Sequence, residues 1–566
     1  MLGIKYVFVT GGVISGLGKG ITAASLGLIL KSAGFRVTLT KADMYLNVDA
    51  GTMNPLEHGE VFVTDDGVET DQDLGHYERF LGESLTRENY FTMGSVYWDV
   101  LHRERALGYE GKCVEGHVHI PEEIIRRLRE TAKKQKADIS IVEVGGTVGE
   151  YQNMMFFEAI RRLKQEKPGD VALVHVVYLP IPKFLGEMKS KPAQASVYEL
   201  YRLGLQPDFV VCRSDEPVDE KRRKTIAFNT GVKEEHILTN PDVDTIYRVP
   251  VVLEEQGAKE KILQLLGLRT RNKDMKEWKK MLEKIGTLKK EVKIAIAGKY
   301  FSSGSFHLED SYVCVIEAIK HASWKLGVKP EIAWFDVEKV TDKDLERYDA
   351  IIVPQGWGSR GVEGKISVVK YAREKKKPYL GLCFGMQMAV IEYARDMLNM
   401  KRANTTEADP GTKYPVVHVM PDQEKYLAEH NYGGTIRLGA WPCLIKPGTI
   451  LEKAYVKYGI GSGVFSKTKR IVSERHRHRY EFNNQYRDVM EKKGLIISGT
   501  SPDGKLVEAV ELPKSVHPFF VGTQFHPEYK SRPLSPHPLF VAFVAESIVS
   551  TGVRKEGRRT DGKQVQ

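Results

Sequence analysis

The chain has 566 residues, 42% hydrophobic and 28% charged, with a net charge of +10. That length calls for two or more domains, and the composition excludes a mainly disordered chain. No apolar run reaches the roughly 18 residues of a membrane helix, no leader-peptide pattern opens the chain, and the five scattered cysteines include no CxxC pair, so a cytoplasmic, reducing location is expected rather than a disulfide framework or a zinc site.

Lys5–Thr10 (KYVFVT) reads as a buried strand, Lys19–Ser32 as a helix and Arg36–Thr40 as a second strand. An amphipathic helix over Pro121–Lys136 precedes the strand Asp138–Val144. Val171–Leu179 and Asp208–Cys212 are further buried strands. Strands alternating with helices predict a parallel, doubly wound sheet. Residues 268–293 carry ten Lys/Arg against four Asp/Glu, with a helical period through Trp278, Met281, Leu282 and Ile285; this reads as a linker helix. The pattern restarts at Val292–Ala297, and Ala350–Val353 and Tyr379–Leu382 are strands that run into glycine-rich turns. The expected fold is α/β, with two doubly wound parallel-sheet domains at 1–267 and 292–553, a linker at 268–291 and a polar tail at 554–566.

The first strand leads into Gly11–Thr22 (GGVISGLGKGIT). Glycines let backbone N–H groups face a phosphate, the helix N-terminus adds positive potential, and Lys19 can reach terminal phosphates. The pattern departs from G-x-x-x-x-G-K-[ST]: the glycine spacing is one residue longer, and Gly20 stands where a hydroxyl would hold magnesium. Carboxylates for a metal come from the acidic run Thr64–Asp73 or from Glu143 at the end of its strand; within the run the pattern does not choose. A basic balance suits polyanionic ligands, and no RRM, KH or C2H2 signature points to nucleic acid.

Gly381-Leu382-Cys383-Phe384-Gly385 is a G-x-C-x-G strand-to-helix elbow, which exposes a thiol near a helix N-terminus. His526 and Glu528, two apart on a segment read as extended, point the same way and supply a base with its orienting carboxylate. Gly356, in the turn PQGWG after a strand, offers an oxyanion N–H. A nucleotide loop and a thiol amidase in one chain imply a glutamine-dependent amidoligase.

The sequence closely resembles the CTP synthase family along nearly its whole length. The likeness rests on Lys41–Asp49 (KADMYLNVD), Gly51-Thr52-Met53, His58–Gly67, Glu69–Phe80, Glu143–Gly149, Gly186–Gln194, the elbow, Arg475–Asn484 and Gln524–Pro533, in that order. It implies a P-loop-type synthetase domain followed by a class I glutaminase domain, with ATP, UTP, glutamine and Mg2+ as ligands, GTP as activator, CTP as feedback inhibitor, and a homotetramer capable of stacking into filaments. Residue by residue, it implies that Ser15, Gly16, Leu17, Gly18, Lys19, Gly20, Ile21 and Lys41 line the triphosphates. Asp73 and Glu143 are implied magnesium ligands, and Arg213 and Asp242 with Asp73 lie at ATP. Ser15, Glu150, Tyr151, Gln152, Lys189, Lys191, Gln194 and Lys224 are implied at UTP or CTP. Cys383, His526 and Glu528 form the implied triad. Gly356, Phe384, Gly385, Met386, Gln387, Glu407 and Arg479 are implied at glutamine, Pro55, His58 and Val61 at an ammonia passage, and Arg360 and Glu363 in the GTP response.

The chain also departs from the family. Gly16 replaces a serine, Gln152 a glutamate, Ala193 a threonine, and Pro-Gly-Gly-Phe-Gly has become PQGWG. Two other readings compete: a cobyrinate-type amidotransferase, and a P-loop partitioning ATPase with a dead amidase domain. A glutaminase assay with and without nucleotides separates all three.

Overall fold

The computed structural model describes residues 3–12, 14–54, 59–271, 274–300, 302–303, 306–307, 309–429, 433–459 and 470–550. Pro55, His58 and the tail 554–566 lie outside them. The chain divides into two compact units, Met1–Ala50 with Asp73–Leu282, and Gly51–Gln72 with Glu283–Gln566. Residues 51–72, read from the sequence as part of the first domain, thus belong to the second unit. Ion pairs hold them there: Asp65 accepts from Arg475 Nε at 2.6 Å, and Glu69 accepts from Arg477 Nε at 2.8 Å. Among the described residues no helix is long and apolar enough to cross a membrane.

The first unit is built on seven parallel strands in the order 90–92, 37–43, 139–144, 5–11, 171–178, 209–214 and 237–241. The strands are buried almost throughout, as a sheet covered on both faces requires. The helix Lys19–Ser32 lies so close to the sheet that a Cβ on Gly27 would come 2.7 Å from Leu39 Cδ1. Phe8, Val142 and Leu173 form a core with Ile124, Leu128, Phe156 and Ile160 of two further helices. One of these, Gly116–Lys134, begins before Pro121 rather than at it. Proline lacks the N–H that would bond His117 O, and Arg162 Nη2 donates to that carbonyl instead, at 2.7 Å.

In the second unit nine strands run in the order 329–336, 291–298, 350–353, 379–382, 520–523, 507–511, 496–500, 437–445 and 471–478. The first five are parallel and the remainder antiparallel, so this sheet is mixed rather than wholly parallel. Alternation along a strand feeds two cores: Ile351 and Val353 join one, Ala350 and Ile352 the other. The expected linker helix spans Lys276–Gly286, with Trp278 and Leu282 buried.

Candidate active sites

In the first unit the functional residues gather at the carboxyl ends of the central strands, where open parallel sheets bind ligands. The loop after the first strand turns on Gly16 (φ +74°) and Gly18 (φ +77°), in the left-handed region that glycine tolerates. Gly18 caps the helix Lys19–Ser32, whose N-terminus suits an anion. Lys19 is buried; its ammonium donates to Gly146 O at 2.8 Å, and burial holds its pKa below the usual lysine value. Gly20 replaces a hydroxyl residue for a spatial reason. A Cβ there would lie 2.1 Å from Asp73 Oδ1, so a carboxylate approaches where the side chain of a serine or threonine would stand.

Lys41 and Glu143 are register partners on adjacent strands. Lys41 Nζ donates to Glu143 Oε1 at 2.9 Å and to Asp73, with Asp43 Oδ1 at 3.7 Å. The Tyr77 hydroxyl donates to the other oxygen of Glu143. Burial, reinforced by Asp73, raises the Glu143 pKa, and burial raises that of Asp43. At Asp73 burial pushes upward most strongly, but the charges of Lys41, His76 and Lys19 and the Lys41 hydrogen bond together outweigh it and the net shift is downward. Asp43 was not read as a site residue; its signal was the KAD motif, which puts Lys41 and Asp43 on one face of a strand.

Asp73 and Glu143 therefore face one cation, the Lys41 ammonium. That donor set fits magnesium, which takes one or two carboxylates and finds its other ligands among phosphate and water oxygens. Among the described residues no group of three or more His, Cys, Asp or Glu could hold a metal, so the remaining ligands would have to come from those oxygens.

The other nucleotide residues are less gathered. Arg213 Nη2 donates to Asp242 at 2.7 Å, and Arg213 Nε lies 4.0 Å from where a Cβ on Gly18 would stand. Lys189 pairs with Glu187 at 2.9 Å, Lys224 with Glu220 at 2.5 Å, and Gln194 donates to Ser190 Oγ at 3.1 Å. Lys191 opens the helix Lys191–Arg202 and is exposed. Glu150 accepts from Thr147 N at 3.1 Å, Tyr151 is 91% exposed, and Gln152 is exposed. Lys189, Lys224, Gln194 and Glu150 are thus bonded to local neighbours.

In the second unit Cys383 sits between the strand Tyr379–Leu382 and the helix Phe384–Met397, at φ +50° and ψ −100°. The flanking glycines permit this turn. A Cβ on Gly385 would lie 1.9 Å from Val353 O, and one on Gly381 would lie 2.8 Å from the Gly385 carbonyl carbon. Cys383 Sγ donates to Arg477 O at 3.7 Å and accepts from Gln524 Nε2 at 3.5 Å. His526 Nδ1 bonds Glu528 Oε1 at 2.7 Å. The expected extended segment is instead a 3-10 turn at Pro527–Lys530, which folds the carboxylate back onto the ring. Among the described residues no group meets Nε2 of His526 with full hydrogen-bond geometry, and Cys383 is near enough to act on the ring. Burial depresses the His526 pKa, yet the charges of Glu528 and Cys383 outweigh it and carry it up to about 10.

A cavity of about 260 Å3 is lined by Trp357, Glu407, Arg477 and Arg479 together with Gly51–Met53 and Glu69. Two expected glutamine residues, Glu407 and Arg479, are thus brought together. Glu407 accepts from Gly358 N at 2.6 Å, and burial raises its pKa. Gln387 Nε2 donates to Tyr480 O at 2.9 Å. The side chains of Phe384 and Met386 are buried in the core, which leaves only their main-chain atoms for the expected contact with glutamine. Arg360 and Glu363 take separate partners: Arg360 bonds Lys299 O, and Glu363 bonds Arg395 at 2.7 Å. The Val61 carbonyl accepts from Tyr529 at 3.0 Å, and the Tyr529 ring stacks on His526 with centroids 4.9 Å apart.

Residues 5–268 match the model for the CTP synthase N-terminus, and residues 307–545 match that for class I glutamine amidotransferase. A CTP synthase of Caldanaerobacter subterraneus subsp. tengcongensis is 49% identical, over 95% of this chain and 97% of its own length. One of Sulfolobus acidocaldarius is 48% identical, over 96% and 99%. The chain belongs to the CTP synthase family. A solved Trypanosoma brucei CTPS glutaminase domain with bound acivicin is 35% identical, with a TM-score of 0.40, over 46% of this chain and 94% of that one. As a CTP synthase family member the chain is an enzyme that joins a synthetase region to an amidotransferase region.

Proposed function

We propose that the protein converts UTP to CTP, with ATP as phosphoryl donor and glutamine as nitrogen source. The observation that carries this reading is an almost full-length likeness to CTP synthases in a chain that keeps both a thiol elbow and a lysine–carboxylate cluster. In the first unit Ser15–Ile21 wrap the triphosphates, Lys19 neutralises charge on the transferred phosphoryl group, and Arg213 and Asp242 attend ATP. Asp73 and Glu143 would hold Mg2+, which would supply positive charge against the phosphates. Lys41 draws those carboxylates together and keeps Asp73 ionised. Lys189, Lys191, Gln194 and Lys224 hold UTP. Phosphorylation of the uracil 4-oxygen gives 4-phosphoryl-UTP; ammonia adds at that carbon and phosphate leaves.

In the second unit Cys383 passes its thiol proton to His526, Sγ attacks the carboxamide carbon of glutamine, and the Gly356 N–H meets the developing oxyanion. His526 gives its proton to departing ammonia, and water then hydrolyses the thioester to glutamate. Glu407 and Arg479 grip the ends of glutamine. The released ammonia passes by Pro55, His58 and Val61 to the synthetase domain. Incubating the chain with UTP, ATP, Mg2+ and ammonium, then with glutamine, tests the reading: ultraviolet monitoring should show CTP in both cases. No CTP with either nitrogen source rules it out. GTP should raise the glutamine-dependent rate through Arg360 and Glu363, and light scattering should give a tetramer mass.

Two further outcomes are expected. The raised His526 pKa means its ion pair contributes stability that is complete below the ordinary value of 6.5 and lost as pH rises through about 10. The alkaline limb of glutaminase activity should fall in that window. Glu528→Gln removes the main charge that raises the pKa, so the limb should move to lower pH in a pH–rate profile. CTP inhibition should be weak, because Gln152 lacks the carboxylate common in the family. Gln152→Glu should lower the CTP inhibition constant about tenfold, the scale of one charge-assisted hydrogen bond.

A further inference from the structure

The loop after the strand Ala350–Val353 is fastened by groups that the triad chemistry does not use. Buried Lys365 donates to Pro354 O at 2.6 Å and Gln355 O at 3.2 Å, and Tyr312 OH donates to Gln355 O at 3.4 Å. A side-chain bond adds to these: Gln355 Nε2 donates to Glu60 Oε1 at 2.7 Å. Glu60 is only 4% exposed, and its other oxygen accepts from Cys314 N at 2.7 Å. A buried carboxylate depends on such donors. The neighbour of Glu60, Val61, is tied by its carbonyl to Tyr529, which stacks on His526.

We propose that Gln355 is a positioning residue that, through Glu60, fixes the loop bearing Gly356 to the segment containing Val61, and so couples amide hydrolysis to the retention of ammonia for amination. This rests on the function proposed above. The bond holds the Gly356 N–H in line with the developing oxyanion and holds Val61 beside the base that releases ammonia. Lys365 holds the main chain of the same loop, whereas Gln355 joins its side chain to Glu60.

Gln355→Met keeps the side-chain length and removes the donor. In the full chain, its glutamine-dependent kcat should fall about tenfold, the scale of one hydrogen bond to a buried charge, with little change in KM for glutamine. Glutamate released per CTP should rise above one and Tm should fall slightly, as one donor to a buried carboxylate is lost, while ammonia-dependent CTP formation stays at the parent value. The exchanged pair Glu60→Gln/Gln355→Glu keeps both bonds: the new amide donates to the new carboxylate and its oxygen still accepts from Cys314 N. It should recover tight stoichiometry and part of the lost kcat. The proposal is overturned if Gln355→Met keeps the parent kcat and stoichiometry, if its ammonia-dependent rate falls in parallel, or if the exchanged pair is no better than the single variant. A parent enzyme that hydrolyses glutamine but forms no CTP overturns the amination reading instead; the Gln355→Met effect on glutamine kcat remains readable there.

Discussion

Cys383→Ala is expected to abolish glutamine-dependent CTP formation, by at least about 10^4-fold, and to leave ammonia-dependent formation near the parent rate. The size follows from the role of the thiolate: no other nucleophile stands at the elbow, and the oxyanion N–H alone gives only residual catalysis. The fold should survive. Sγ is one atom with two weak hydrogen bonds, to Arg477 O at 3.7 Å and from Gln524 Nε2 at 3.5 Å, and alanine carries the same Cβ at φ +50°. Deleting that atom from a buried site costs about 1 kcal/mol. Coupled assays with glutamine and with ammonium chloride, beside a thermal melt, read the three quantities separately. If ammonium could not rescue the variant while its melt matched the parent, separate centres for nitrogen release and nitrogen addition would be untenable.

What the sequence makes legible is what local chemistry determines. The elbow can be read because Gly381 and Gly385 are tied to Cys383 by steric need within a few residues, and the structure shows the clashes that any side chain would meet. The helix Lys19–Ser32 and the strands Ala350–Val353 and Tyr379–Leu382 have the bounds expected from apolar period and flanking glycines. The Lys41–Glu143 bond is different. It depends on the order of strands in the sheet, and nothing near either residue specifies that order. The bond from Gln355 to Glu60 spans 295 positions and is invisible to any local pattern. The antiparallel half of the second sheet was missed for a related reason: strands such as Arg437–Ile445 have exposed residues and lack the continuous apolar run of a covered parallel strand. Glu528 meets His526 through a turn rather than along an extended segment, a geometry that the spacing of two residues does not reveal.

Lys19→Ala is expected to abolish CTP formation from both nitrogen sources, by at least about 10^3-fold, while basal glutamine hydrolysis without nucleotides persists. Lys19 is the more informative of the two buried lysines in the first unit. Lys41 holds Asp73 and Glu143 together, so removing it leaves two buried carboxylates facing each other; breaking such a buried network costs about 3–5 kcal/mol, and lost activity would then be confounded with lost fold. Lys19 instead donates to one carbonyl, Gly146 O at 2.8 Å, and burial has already lowered its pKa, so the folded protein gains little from its charge. Its value lies in what a phosphoryl group gains from an ammonium at the mouth of a glycine loop. The variant should therefore melt close to the parent, hydrolyse glutamine, and make no CTP at any ammonium concentration. If high ammonium restored CTP formation in Lys19→Ala, phosphoryl transfer would not depend on the glycine loop, and its resemblance to a triphosphate cradle would be of shape alone.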